Sequence, residues 1–348
     1  MKPKILKITA LIVGTSLGCF LIGVFLYHRV HVGMERAFLA RFDTGEILEV
    51  EGAKVNYKIF NAEKAGRTVI LMPGLGVQDL SVAGDPFASR INARIILVNR
   101  PGYAFSDETG RAADVDYIVE YHRNLLRELE ITEPVILMPH SIAGQYAMYW
   151  VERYPDEVEG IIGLDIGSPY RYLDEDDANG LAESIKYIGA KLGWGRIVMS
   201  KAEYAPFLAD FGYLSETERE AMWYLNGTIN PYPKFVKSET LLMKVNAQKV
   251  IEALSDNYHA KPKLLIAADY LMEDFADKSR VALLEAFRGD NNAVDEHITK
   301  HKEEQDKTIE SFLANDQRTI VVRVPGTHGV YLYPSETLVN AINDFLNL

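Results

Sequence analysis

The chain has 348 residues, 48% hydrophobic and 25% charged, enough apolar material for one large domain with an insertion, or for two domains. Its formal net charge of −12, from 37 basic and 49 acidic residues, excludes the clustered positive face that a nucleic-acid partner requires. Cys19 is the only cysteine, which rules out an internal disulfide and a cysteine-based zinc site.

In chain order, the first feature is "ITALIVGTSLGCFLIGVFLY", residues 8–27, without a single charge. At about 1.5 Å per residue this run covers a hydrocarbon core of roughly 30 Å, so the lipid bilayer is an expected partner. Lys2, Lys4 and Lys7 precede it, and Arg29 and Arg36 follow. That balance predicts a single-pass anchor with its amino terminus in the cytoplasm and the remaining chain outside. A cleaved signal peptide is the rival, but its apolar region would be shorter, roughly 7–15 residues, and would end at a small-x-small site. We therefore delimit residues 1–35 as an anchor.

The soluble part alternates. Residues 46–60 read as two strands joined by a tight turn at Gly52. "TVILM", "RIILV", "PVILM", "GIIGL", "PKLLIA" and "TIVVRV" are short, β-branched apolar runs, as expected of strands buried on both faces of a mostly parallel sheet. Helical patterns lie between several of them, including residues 116–130 and the closing segment 336–348. The order predicts an α/β fold, a doubly wound sheet. The interval 167–260 breaks the alternation with helix-like patterns, and a structureless loop of that length is improbable. It is read as a helical cap inserted into a core of residues 36–166 and 261–348. Ile188, Trp194, Phe207, Phe211, Trp223 and Leu225 fall in that cap and suit a pocket for an apolar acyl or alkyl group.

"ILMPHSIAGQYAMYW", residues 136–150, places Ser141 between a strand and a helix. A turn of this kind lifts a side chain above the carboxyl edge of the sheet, where ligands bind in open α/β folds. Small residues are expected two before and two after the serine; Pro139 and Ala143 stand there, and Pro139 is a departure from glycine. "ILMPGLGV", residues 70–77, follows the first parallel strand with two glycines around Leu75, and such a bend can aim a backbone N–H at the same point. The N–H of Ile142 at the helix start supplies a second donor, and two such donors form an oxyanion hole. His328 lies in the Gly-flanked loop "VPGTHGVYLYPSE" after the last strand. Of the other histidines, His140 precedes the serine, while His122, His297 and His301 fall on polar helical segments. His297 and His301 have metal-ligand spacing, but "DEHITKHKEE" reads as a solvated helix, so no metal is expected.

Together the His140-Ser141-Ile142-Ala143-Gly144 turn, the Pro73-Gly74-Leu75-Gly76 loop, the Arg100-Pro101-Gly102-Tyr103 turn and the Gly326-Thr327-His328 loop resemble those of the α/β-hydrolase family, in its capped, lipase/esterase-like branch. The resemblance covers residues 46–348. It implies a Ser–His–acid triad between core and cap, with Ser141 as nucleophile, His328 as base, and Leu75 and Ile142 as backbone oxyanion donors. The acid has two candidates. Asp165 ends "GIIGLD" and is preferred; Asp269 in "LLIAADYLMED" follows the strand after the cap, where most of the family carries it. The implied chemistry is acyl transfer from a small, apolar, ester-like substrate to water, without a cofactor. An aminopeptidase-type serine peptidase is the alternative enzyme, and a non-catalytic binding or signalling protein the alternative of another kind.

Overall fold

The computed structural model describes residues 3–348 except 65, 78, 175, 199–213, 271, 273–279, 282, 285–286, 314–317 and 333. Eight strands form one sheet: β1 (Glu46–Val50), β2 (Ala53–Phe60), β3 (Thr68–Met72), β4 (Arg94–Val98), β5 (Val135–Pro139), β6 (Val158–Leu164), β7 (Lys263–Asp269) and β8 (Thr319–Pro325). Their order is β1-β2-β4-β3-β5-β6-β7-β8. The hairpin β1–β2 and the β2–β4 pair are antiparallel, and every other pair is parallel. The mostly parallel sheet expected from the sequence is therefore the observed one.

The strands read as continuous apolar runs because both faces are covered. Val69 and Leu71 of β3 point into one buried cluster, and Ile70 and Met72 into the other, which is the period-2 alternation of a strand with no solvent side. Helices α2 (Asp85–Ala88), α3 (Val115–Glu128), α4 (Ala143–Arg153) and, at the chain end, Glu336–Leu346 pack on these faces. In α3 the Asp114 side chain accepts the Tyr117 N–H at the amino end, and Ile118, His122 and Leu125 form the buried stripe. His122 is thus a core residue rather than part of a polar surface. Its position four residues after Ile118 puts it on the apolar face.

Between β6 and β7 the described residues carry helices and no strand: α5 (Pro169–Asp174), α6 (Gly180–Leu192), α7 (Gly195–Val198), α8 (Glu216–Trp223), a π turn (Tyr224–Thr228), α9 (Lys234–Ala253) and α10 (Asp256–Ala260). A further helix, α11 (Asn291–Leu313), separates β7 from β8, and α12 is Glu336–Leu346. Before the sheet, α1 (Pro3–Leu39) is one unbroken helix of 37 residues. It contains a segment long and apolar enough to cross a membrane. It also runs on past residue 35: Val32 and Leu39 are buried in a core cluster, so its last turns belong to the packed body.

Candidate active site

Ser141 stands two residues past the end of β5, and its φ is +56°. A side chain in this left-handed region is strained by about 1–3 kcal/mol, a cost found where surrounding structure enforces it. Here the enforcement is visible. The His140 N–H donates to the Met72 carbonyl, the Ser141 N–H to Leu164, and the Gly167 N–H back to the Ser141 carbonyl. Asp165, at the end of the neighbouring strand, is likewise left-handed, with φ +46°. Two strained residues thus stand side by side at the carboxyl edge of the sheet.

The tightness of this corner selects its small residues. A Cβ on Gly74 would lie 2.7 Å from His140 Nδ1 and 3.0 Å from Ser141 Cβ. A Cβ on Gly144 would lie 2.7 Å from Ile166 Cβ. Pro139 is accommodated as the last residue of β5, paired with Met72. The Gly74 loop therefore runs directly against the serine. Neither the Leu75 N–H nor the Ile142 N–H donates to a protein acceptor among the described residues, and Ile142 immediately precedes helix α4.

His328 comes from the loop after β8. Its Nδ1 donates to Asp165 Oδ2 at 2.6 Å, which leaves Nε2 as the imidazole's proton-accepting atom. The loop is fixed twice, through His140 Nε2 donating to the His328 carbonyl at 2.8 Å and the His328 N–H donating to Tyr270 Oη at 3.1 Å. His140 is buried, and that burial, with the neighbouring His328 adding to it, pushes its pKa down to about 3. It is a neutral structural imidazole.

Asp165 is nearly fully buried and surrounded by donors. Its Oδ1 accepts the Ala268 N–H at 3.0 Å and Gln305 Nε2 at 2.6 Å; His301 Nε2 stands 3.3 Å from Oδ2. Burial pushes its pKa up, but His301 and His328 outweigh that and hold the carboxyl well below the usual carboxylate range. Asp269 ends β7 opposite Pro325 of β8, and its carbonyl accepts the Gly326 N–H. The two candidate acids therefore occupy different places, and the hydrogen bond to the His328 ring runs to Asp165.

His301 corrects the reading of "DEHITKHKEE" as a fully solvated helix. Val294, Ile298, Gln305 and Thr308 of α11 are buried, and His301 lies on their face at helical spacing. That stripe was the available signal, masked by the charges between its members. Asp165, His301 and His328 offer ligand atoms within 4.8 Å of one another. A metal there would have to take the carboxylate oxygen that holds His328.

A second polar cluster supports the Gly74 loop. Arg100 Nη1 pairs with Glu239 Oε1 at 3.2 Å, with side-chain exposures of 2% and 0%. Arg100 Nη2 donates to the Gly74 carbonyl at 2.7 Å, and the Gly76 N–H donates to Tyr103 Oη. The hydroxyls of Tyr103 and Tyr146 both donate to Glu239. Glu239 of helix α9 is therefore tied, through the Arg100–Tyr103 turn, to the loop beside Ser141. The sequence reading recognised that turn but not its partner. Of the apolar residues expected to line a cap pocket, Trp223 and Leu225 are packed in a core cluster, Ile188 and Trp194 are exposed, and Phe207 and Phe211 lie outside the described residues.

Comparison with known proteins agrees with this architecture. A family model described as alpha/beta hydrolase fold matches residues 68–185. An uncharacterised protein of Bacillus subtilis, YbdG, is 26% identical over 349 residues, covering 99% of this chain and 97% of its own. A bromoperoxidase from Bacillus anthracis superposes with a TM-score of 0.56 at 15% identity, over 87% of this chain and 99% of that one. An enol-lactonase from Burkholderia xenovorans gives 0.53 at 13% identity, over 87% and 100%.

Proposed function

From a chain with the α/β-hydrolase fold, we propose a membrane-anchored serine hydrolase that cleaves an ester-like bond of a small, apolar substrate. Ser141 attacks the carbonyl, and His328 Nε2 takes its proton. Asp165 holds the imidazole in the tautomer that can do so and stabilises the imidazolium that forms. The N–H groups of Leu75 and Ile142 receive the developing oxyanion, each contributing about 3 kcal/mol to the transition state. His328 then returns the proton to the leaving alcohol, and water, deprotonated by the same imidazole, releases the acyl group. Residues 36–166 and 261–348 form the catalytic core and 167–260 its cap. Helix α1 is the single span, amino terminus inside, supported by Lys2, Lys4 and Lys7 before the apolar run.

The observation that carries this reading is the 2.6 Å bond from His328 Nδ1 to the buried Asp165, beside a serine held at φ +56°. A fluorophosphonate probe tests it. The wild-type chain should be labelled and should hydrolyse p-nitrophenyl butyrate, and Ser141→Ala and His328→Ala should each abolish both. Labelling that survives in Ser141→Ala would remove the serine from the chemistry.

A further inference from the structure

We infer that the cap is itself seated in the membrane, with helix α6 lying along the lipid headgroup–acyl boundary as a second attachment beside α1. The inference rests on α1 being a membrane span and adds to it a surface, a depth and an orientation.

The surface is one face of α6. Leu181, Ile185 and Ile188 are 72, 62 and 55% exposed, and their i, i+4, i+7 spacing puts them on a single stripe. Glu183 is buried on the opposite side. The helix thus buries its one carboxylate and turns an apolar stripe outward, with the exposed Lys186 beside that stripe, the arrangement of an interfacial helix with a basic residue flanking its apolar face. Trp194, just beyond its end, is also exposed, and tryptophan at the end of such a stripe suits the membrane interface.

The depth follows from how α1 holds the cap. The Trp194 ring meets the Phe20 ring edge-on, with centroids 6.4 Å apart. Phe20 lies seven residues before Tyr27, the end of the uncharged run, and so about 10 Å along the helix inside it. Drawing the bilayer boundary back to Phe20, to keep Trp194 in water, would leave only residues 8–19 to cross. That is about 18 Å of helix against a hydrocarbon core of roughly 30 Å. The span is long enough only if the cap reaches into the membrane.

Rigid coupling fixes the orientation. Arg196 donates through Nη1 and Nη2 to the two carboxylate oxygens of Glu35 and faces His28 Nδ1 across 2.8 Å. The Thr228 hydroxyl donates to the same carboxylate. With Val32 and Leu39 buried as well, α1 cannot slide through the membrane without carrying α6 along. Amphipathic interfacial helices bury their apolar face by about 5–10 Å, the depth at which the Phe20–Trp194 contact places this one.

The full-length chain, reconstituted in palmitoyl-oleoyl phosphatidylcholine vesicles, allows a direct test. Vesicles containing phosphatidylcholine brominated in the upper part of the acyl chain should roughly halve the fluorescence that Trp194→Phe removes, consistent with an interfacial depth; Trp150 and Trp223 are buried and supply the constant background. In the triple variant Leu181→Asp, Ile185→Asp, Ile188→Asp, the chain should still float with the vesicles and still turn over a soluble ester, but the Trp194 quenching should disappear. Flotation without Trp194 quenching in the wild-type chain would overturn the seating of the cap and leave the anchor intact. Quenching that persists in the triple variant would remove α6 from the interface. A wild-type chain that does not float would overturn the anchor reading, and this inference with it.

Discussion

Asp165 and Glu239 are both buried carboxylates beside the same serine loop, yet they are stabilised by different means. Around Glu239 stand a guanidinium, which is always charged, and two phenol hydroxyls. Around Asp165 stand a backbone N–H, a carboxamide and two imidazoles, none of which carries a fixed positive charge. A permanent partner completes a structural tie, whereas a carboxylate held by donors without a permanent charge keeps its own charge available for a cation that exists only part of the time. In the proposed mechanism, the imidazolium formed on His328 is such a cation. The two sites should therefore fail differently when their charge is removed.

The largest effect is expected at Asp165. In Asp165→Asn, one oxygen can still accept from Ala268 and Gln305, so the fold should hold. The new amide N–H would face His328 Nδ1 and force the wrong tautomer. Turnover of p-nitrophenyl butyrate should fall by about 10⁴-fold, with an unchanged near-ultraviolet circular dichroism spectrum. Asp269→Asn should stay within about tenfold of wild type, since no comparable misalignment of His328 follows from it. The reverse pattern would transfer the acid to Asp269.

Glu239→Gln should instead act on stability. It leaves Arg100 buried without a counter-charge, a loss of about 3–5 kcal/mol. Replacing both partners, Arg100→Met with Glu239→Met, should recover at least half of that loss, because no buried charge then remains unpaired. Equilibrium unfolding in detergent measures both. A loss under about 1 kcal/mol in the single variant would mean that solvent reaches the pair and that the contrast with Asp165 is one of position only.

What the sequence made legible follows from how local each feature is. The strands are short β-branched runs because both faces of the sheet are covered, and that pattern is readable in five residues. Ser141 and His328 sit in loops between a strand and a helix, where small flanking residues mark a turn. Glu239 carries no such mark: in "KSETLLM" it looks like one more charge on an amphipathic helix, and its partner Tyr103 lies 136 residues away. His301 was hidden by the charges around it, although its spacing from Val294, Ile298 and Gln305 is that of a buried stripe. The extent of α1 was obscured in a different way. Its apolar run ends at Tyr27 and its charges begin at once, but the helix continues because Glu35 finds Arg196 in the cap.

The smallest effect should be at His122, the buried imidazole on the Arg100 side. Its Nδ1 donates to the Ile118 carbonyl at 2.7 Å. Burial, with Arg100 adding to it against that hydrogen bond, pushes its pKa down to about 4. The sign of the consequence is fixed by which state takes up the proton. Below about pH 6.5 the unfolded chain protonates this histidine while the folded chain does not, so the neutral imidazole costs stability as the pH falls from 6.5 towards 4. Below that both states are protonated and the loss stops. The slope is at most about 1.4 kcal/mol per pH unit for one histidine, added to whatever the other buried groups contribute. Asn at this position can make the same donation to Ile118 without titrating. His122→Asn should therefore start somewhat less stable at pH 7, because Asn fills less of the space against Trp150, yet lose stability more slowly on acidification. Unfolding midpoints at pH 7, 6 and 5 would show the two curves converging; parallel curves would mean that the His122 ring is protonated in the folded chain, with Arg100 no bar to it.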